Sequence, residues 1–273
     1  MKSGAFLVAA WAAVLSGPAA AAPDGDALGN WALEPSPVRC VISRQYGSAS
    51  APITLGFKAP PVGDARQVVI VRPEGRTGIT QTIARLTIDK QIVRTTVLNY
   101  PLGRDRAAHL LNLSGAESAI LGRASELEVW IKGSARMNKG LLRSFRLGPM
   151  ATAWAQLDSC LGRLRQTWNI SEDDSRLSMP PRPIMSLEGM IRTEDYPGLA
   201  VRRMQMGTSG IMLLIDESGA VKDCTLTEAS GVAVLDSTTC LIISRRAKFQ
   251  PAIGLDGKPA KSAFTQTITW RLE

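Results

Sequence analysis

His109 is the only histidine among 273 residues, so any serine- or cysteine-based site activated by an imidazole depends on it alone. It stands in Arg106-Ala107-Ala108-His109-Leu110 with no nucleophile motif nearby and reads as an incidental side chain. No G-x-S-x-G elbow, no H-E-x-x-H pair and no glycine-rich phosphate loop followed by Lys-Ser/Thr occurs. Glu126 and Glu128 share one face of an expected strand, and glycoside hydrolysis needs two carboxylates across a cleft. Adjacent surface acids are commonplace, however, and no second feature marks this pair. Glu172, Asp173 and Asp174 cluster without the further ligand positions of a calcium loop and read as the solvated start of a connector. The expectation is a protein with no catalytic residues, no cofactor and no metal: not an enzyme.

The four cysteines form no C-x-x-C pair, and one histidine leaves a zinc site short of ligands. Their meaning depends on the compartment, which the first residues address. Lys2 supplies a positive start, Ala5 to Leu15 an apolar stretch, and Ser16, Gly17 and Pro18 break it ahead of Ala19 to Ala22. This is the layout of a secretory signal over residues 1–21 with an A-x-A cleavage site. The apolar stretch is about half of the roughly 20 residues that a spanning helix needs. An uncleaved anchor is the competing reading. Export to the periplasm makes disulfides the expected state of Cys40, Cys160, Cys224 and Cys240. Three pairings are open; two cysteines precede the connector and two follow it, so Cys40–Cys160 and Cys224–Cys240 are expected.

Composition narrows the classes further. Apolar residues make up 45% and charged residues 21%, a globular balance that rules out collagen-like and wholly disordered chains. Aromatics at 5% argue against base-stacking platforms. The formal charge of +8 is spread thinly, without a run of five like charges, as on a solvated surface rather than a nucleic-acid face. No nucleic acid is expected as partner, and no membrane span once the signal is removed.

The elements that must position any site fall into two unequal parts. Val38–Ser43, Ile53–Phe57, Gln67–Arg72, Ile83–Ile88, Ile92–Leu98 and Glu126–Lys132 are short apolar or alternating runs, as in an antiparallel sandwich or barrel. Ala107–Gly122 is ambiguous and has room for a helix. From Phe145 to Ile170 the period changes: Met150, Ala153, Trp154, Leu157, Leu161, Leu164 and Trp168 mark an amphipathic helix. These make a β-rich domain over residues 22–170, closed by that helix. Its Cys40-x-x-x-Arg44-x-Tyr46 faintly resembles small exported proteins of the invasion-associated locus B type. Residues 171–195, with Pro180, Pro181 and Pro183, read as a linker.

Residues 196–273 carry the most specific pattern. Gly210–Ile215 is a continuous apolar run suited to a buried strand. Asp216 to Gly219 turns the chain and Val221 to Thr227 returns. Leu235 to Phe249 reads as a helix with Asp236 in its first turn and Arg245, Arg246 and Lys248 in its last. Phe264, Gln266, Ile268, Trp270 and Leu272 then alternate with polar residues in a final strand. The expected class is thus α+β: an antiparallel β domain closed by a helix, then a small β-β-α-β domain.

At Tyr196-Pro197, Gly210, Asp216-x-x-Gly219-x-Val221, Ser230-Gly231, Leu235-Asp236, Phe249-x-Pro251-Ala252, Asp256-Gly257-Lys258-Pro259 and Thr267-x-Thr269-Trp270 the chain resembles the C-terminal domain of the TonB family of energy transducers. The resemblance implies a protein-binding module that captures a segment of an outer-membrane receptor as a strand beside its last strand. Carried over, the binding edge is Phe264, Thr265, Gln266, Thr267, Ile268, Thr269, Trp270 and Arg271, with Tyr196 near the partner; the competing reading is that Tyr196 and Trp270 merely pack the domain. The implied partner is a TonB-dependent outer-membrane receptor or another envelope protein. Three departures separate this chain from a transducer: a cleavable N-terminus, a short linker and an extra domain. Binding without energy transduction is therefore the expected function. A true transducer, or an envelope protein binding cell-wall material, is the alternative.

Overall fold

The computed structural model describes residues 26–34, 36–73, 78–133, 141–171 and 176–272; the signal segment 1–21 and the acids Glu172, Asp173 and Asp174 lie outside them. The fold is α+β and mostly antiparallel. Nine strands form the first sheet: β1 (Ala32–Leu33), β2 (Cys40–Ser48), β3 (Ala51–Ala59), β4 (Arg66–Pro73), β5 (Thr80–Ile88), β6 (Gln91–Leu102), β7 (Arg106–Leu113), β8 (Glu126–Ile131) and β9 (Leu141–Arg146). They lie in the order β1-β2-β3-β4-β7-β6-β5-β8-β9. Alternation drives the curl: Leu55, Phe57, Val68, Ile70, Leu86, Ile88, Leu127 and Val129 all point into one core.

The two ends of this sheet are joined by side chains rather than by a ladder. Trp31 Nε1 and Arg44 Nη1 donate to the Leu147 carbonyl at 3.0 and 3.1 Å, and the Tyr46 hydroxyl donates to the Arg146 carbonyl at 3.2 Å. Tyr46 also meets Phe145 edge-to-face at 5.0 Å. Helix α2 (Ala151–Thr167) closes the core with Ala153, Leu157, Leu161 and Leu164, and the Cys40–Cys160 disulfide ties it to β2.

One stretch left open resolves and one differs from expectation. Ala107–Gly122 divides into strand β7 and the short helix α1 (Gly115–Leu121), started by a Ser114/Glu117 capping box. Phe145 belongs to strand β9 and not to the helix, which begins six residues later.

The second part contains β10 (Leu177–Met179), β11 (Arg182–Pro183), the short helix α3 (Gly198–Val201), β12 (Gly207–Ile215), β13 (Val221–Glu228), α4 (Ala233–Arg246), β14 (Phe249–Gln250), β15 (Ala252–Gly254), β16 (Pro259–Ala260) and β17 (Ser262–Trp270). Helix α4 ends before Phe249, which is drawn into β14. The main sheet is β13-β12-β17, packed on α4 through Ile211, Leu213, Leu235, Ile243 and Trp270. Cys224 and Cys240 are disulfide-bonded, with their α-carbons 5.5 Å apart, so β13 is tied to α4.

The stretch read as a linker is built into this part: β10 pairs with β15 and β11 with β14. Leu187 and Met190 are buried in the α4 core. Prolines and polar residues hide these short pairings from pattern reading.

Candidate functional site

Strand β12 is buried on both faces, as its unbroken run Ile211–Ile215 demands. It pairs with β17 from Gly207↔Trp270 to Ile215↔Ser262. On its far side β17 has no partner strand among the described residues. Such an edge offers unpaired N–H and C=O groups to another chain. Thr265, Thr267 and Thr269 project into solvent from one face. Phe264, Gln266, Ile268 and Trp270 project from the face toward α4, with Phe264 and Gln266 half-buried and the other two buried. Arg271, one residue past the strand, is exposed.

The far end of the edge is pinned. Trp270 is 3% exposed and its Nε1 donates to Thr239 Oγ1 at 2.8 Å. Tyr196 meets it edge-on at 5.2 Å and donates its hydroxyl to the Gln205 carbonyl at 2.6 Å. The two aromatics hold the strand in place. The segment before Tyr196 also reaches the edge, because Gln266 Nε2 donates to Glu188 Oε1 at 2.6 Å. Asp195 receives both Nη atoms of Arg246. That guanidinium holds its carboxyl below the usual range.

Behind the edge, α4 leans on the nine-stranded sheet. Its N-cap residue, Val232, offers no side-chain cap, so the first N–H groups need other acceptors. They find them in the first part of the chain: Ala233 N–H donates to Thr96 Oγ1 and Val234 N–H to Gln81 Oε1, both at 2.7 Å. Asp236, 1% exposed, accepts from Ser209 Oγ at 2.7 Å, Ser230 N–H at 3.0 Å and Asn112 Nδ2 at 2.8 Å. Burial pushes its carboxyl up against those three donors. Across the same seam Asp223 pairs with Arg39 at 3.0 Å and Lys58 at 3.4 Å, and burial pulls the Lys58 ammonium down. The side chains that fix α4 escape sequence reading because they sit on other elements. The only local signal is a helix whose N-cap position holds valine.

His109 lies inside the curled sheet, 4% exposed. Its Nε2 accepts from Arg72 Nε at 3.0 Å, which leaves Nδ1–H to donate to Asn99 Oδ1 at 2.7 Å. Burial, then the charges of Arg72 and Arg143, lower its pKa to about 4. Glu126 and Glu128 stand on the outer side of β8, since Leu127 and Val129 face the core.

No curated protein matches the chain. Residues 193–272 match the family model of the Gram-negative bacterial TonB protein C-terminal, and with two strands, a helix and a final strand in that order this part of the chain is a domain of that family.

Proposed function

We propose that the protein binds an envelope partner by accepting an extended segment along β17, from Phe264 to Arg271. The observation that carries this reading is the position of β17 at the end of the β13-β12-β17 sheet, with one ladder side unpaired among the described residues, in a domain of a family that serves protein interaction and transport. Backbone pairing supplies most of the affinity in strand addition, and side chains select the sequence. The partner is an outer-membrane receptor or another envelope protein. The protein acts in the periplasm after residues 1–21 are removed. It works as a binding protein and not as a transducer, because the apolar stretch Ala5–Leu15 is about half of what a spanning helix needs and is followed by an A-x-A cleavage site.

The test uses a synthetic peptide from the N-terminal segment of a TonB-dependent receptor. Of the neighbours Gln266 and Thr267, one turns its N–H outward, because ladder groups alternate along a strand. A folded proline variant at that position loses peptide binding, whereas Lys132→Ala, on the distant sheet, retains it. Equal binding by both folded proline variants overturns the proposal.

A further inference from the structure

Away from the β17 edge, strands β5 and β6 carry an outer face that α4 covers at one end only. Residues two apart on a strand share a face. Gln81 on β5 and Thr96 on β6 use this face to cap α4 and are buried there. Ile83 and Arg85, next along β5, and Arg94 and Ile92, next along β6, lie beyond the helix. All four are exposed, the isoleucines at 50% and 55%.

Arg85 and Arg94 stand directly opposite each other, and their row continues through Trp130 on β8 to Leu142 on β9, itself 49% exposed. Like charges directly opposite destabilise a sheet. Nothing near them offsets this: among the described residues neither guanidinium closes a hydrogen bond or an ion pair. Glu128 and Glu126 follow on the same face of β8 and pair with neither arginine. The one contact of Arg85 in the row is with Trp130, whose ring centre lies 5.6 Å from the guanidinium carbon.

We propose that this face docks on a bilayer surface of anionic phospholipid. Two unpaired guanidiniums side by side are donors for a phosphate group. Around them Ile83, Ile92, Leu142 and the Trp130 ring add apolar surface, and an apolar patch mixed with such charges marks an interaction site.

The occupant follows from having to meet both features. A free phosphate answers the cations and leaves the apolar side chains in water. A protein partner seats its anchors in desolvated pockets, whereas the outside of a curled sheet is convex. At an anionic lipid surface the headgroup phosphates meet the guanidiniums while the isoleucines, the leucine and the indole enter the headgroup boundary. This docking does not depend on β17, and its failure leaves edge pairing untouched.

Flotation of the chain from Ala22 onward with phosphatidylcholine vesicles, with and without about a quarter of phosphatidylglycerol, tests the assignment. The protein floats with the anionic vesicles and not with the neutral ones. Because the whole chain is cationic, the charge-matched control is Arg163→Gln with Arg245→Gln, exposed on α2 and α4. Arg85→Gln with Arg94→Gln weakens vesicle binding about tenfold or more, as does Ile83→Ser with Ile92→Ser, and the control weakens it less than about threefold. Receptor-peptide binding is the same in all of them. Equal loss in the control, equal binding to neutral vesicles, or binding indifferent to the isoleucine pair overturns the proposal. So does capture of polyglutamate, or of glycerol 3-phosphate, without vesicle binding.

Discussion

Thr96, in the middle of β6, accepts the backbone N–H of Ala233, the first residue of α4, at 2.7 Å and returns its own hydroxyl proton to the Gly231 carbonyl at 3.2 Å. One side chain of the nine-stranded sheet thus does for α4 what an N-cap residue does in most helices. The helix behind β17 depends on the first part of the chain for its start.

Replacing Thr96 by Val keeps the shape and leaves the Ala233 N–H buried without an acceptor. The expected cost is about 1–3 kcal/mol, read as a lower denaturation midpoint. Gln81→Ala, which strands the Val234 N–H, acts in the same direction. A Thr96→Val protein as stable as the parent contradicts the capping role.

Acid should loosen the nine-stranded sheet through His109. Its folded pKa of about 4 lies below the unfolded value of 6.5, so the unfolded chain takes up the proton first as pH falls. The stability from neutral His109 is complete above pH 6.5 and is lost between there and about 4, on the order of 3 kcal/mol in all. Urea midpoints measured across that window fall in the parent, and the slope flattens in His109→Gln.

Cys224 and Cys240, 16 residues apart, close a loop whose constraint on the unfolded chain is worth about 3 kcal/mol by the chain-entropy estimate. The Cys224→Ala, Cys240→Ala protein therefore melts at lower temperature. Peptide mapping without reduction yields a Cys224–Cys240 linked pair; a Cys40–Cys240 link contradicts the pairing.

Gly219 has φ +81, and a Cβ there meets the Phe249 carbonyl oxygen at 2.0 Å. Gly219→Ala thus strains the β12–β13 hairpin and displaces β14. The loss exceeds the roughly 0.4–1 kcal/mol that a compatible glycine replacement gains and is measured by denaturation.

The sequence was most readable where local pattern and tertiary role coincide. The run Ile211–Ile215 announces a central strand, and the alternation from Phe264 to Trp270 a strand with one wet face. Strand β7 was harder, because small and polar residues, Ala107 and His109, occupy inward positions where a branched apolar residue is expected. The segment before Tyr196 looked like a connector because its pairings with Phe249–Gly254 are two or three residues long. The seam was invisible for a different reason: Gln81 and Thr96 lie 153 and 137 positions from the N–H groups they cap. No local window contains both partners. At the edge itself the alternation revealed the strand, but only the spatial order of three strands shows which side is unpaired.

The most direct test of the central claim is amide hydrogen exchange along β17 with and without the receptor-segment peptide. Added strand pairing engages only outward N–H groups, which belong to every second residue. The expected result is new protection at alternate positions between Phe264 and Arg271, with the β12-facing amides unchanged. Peptide binding that leaves those amides unprotected, or protects α4 instead, contradicts edge pairing.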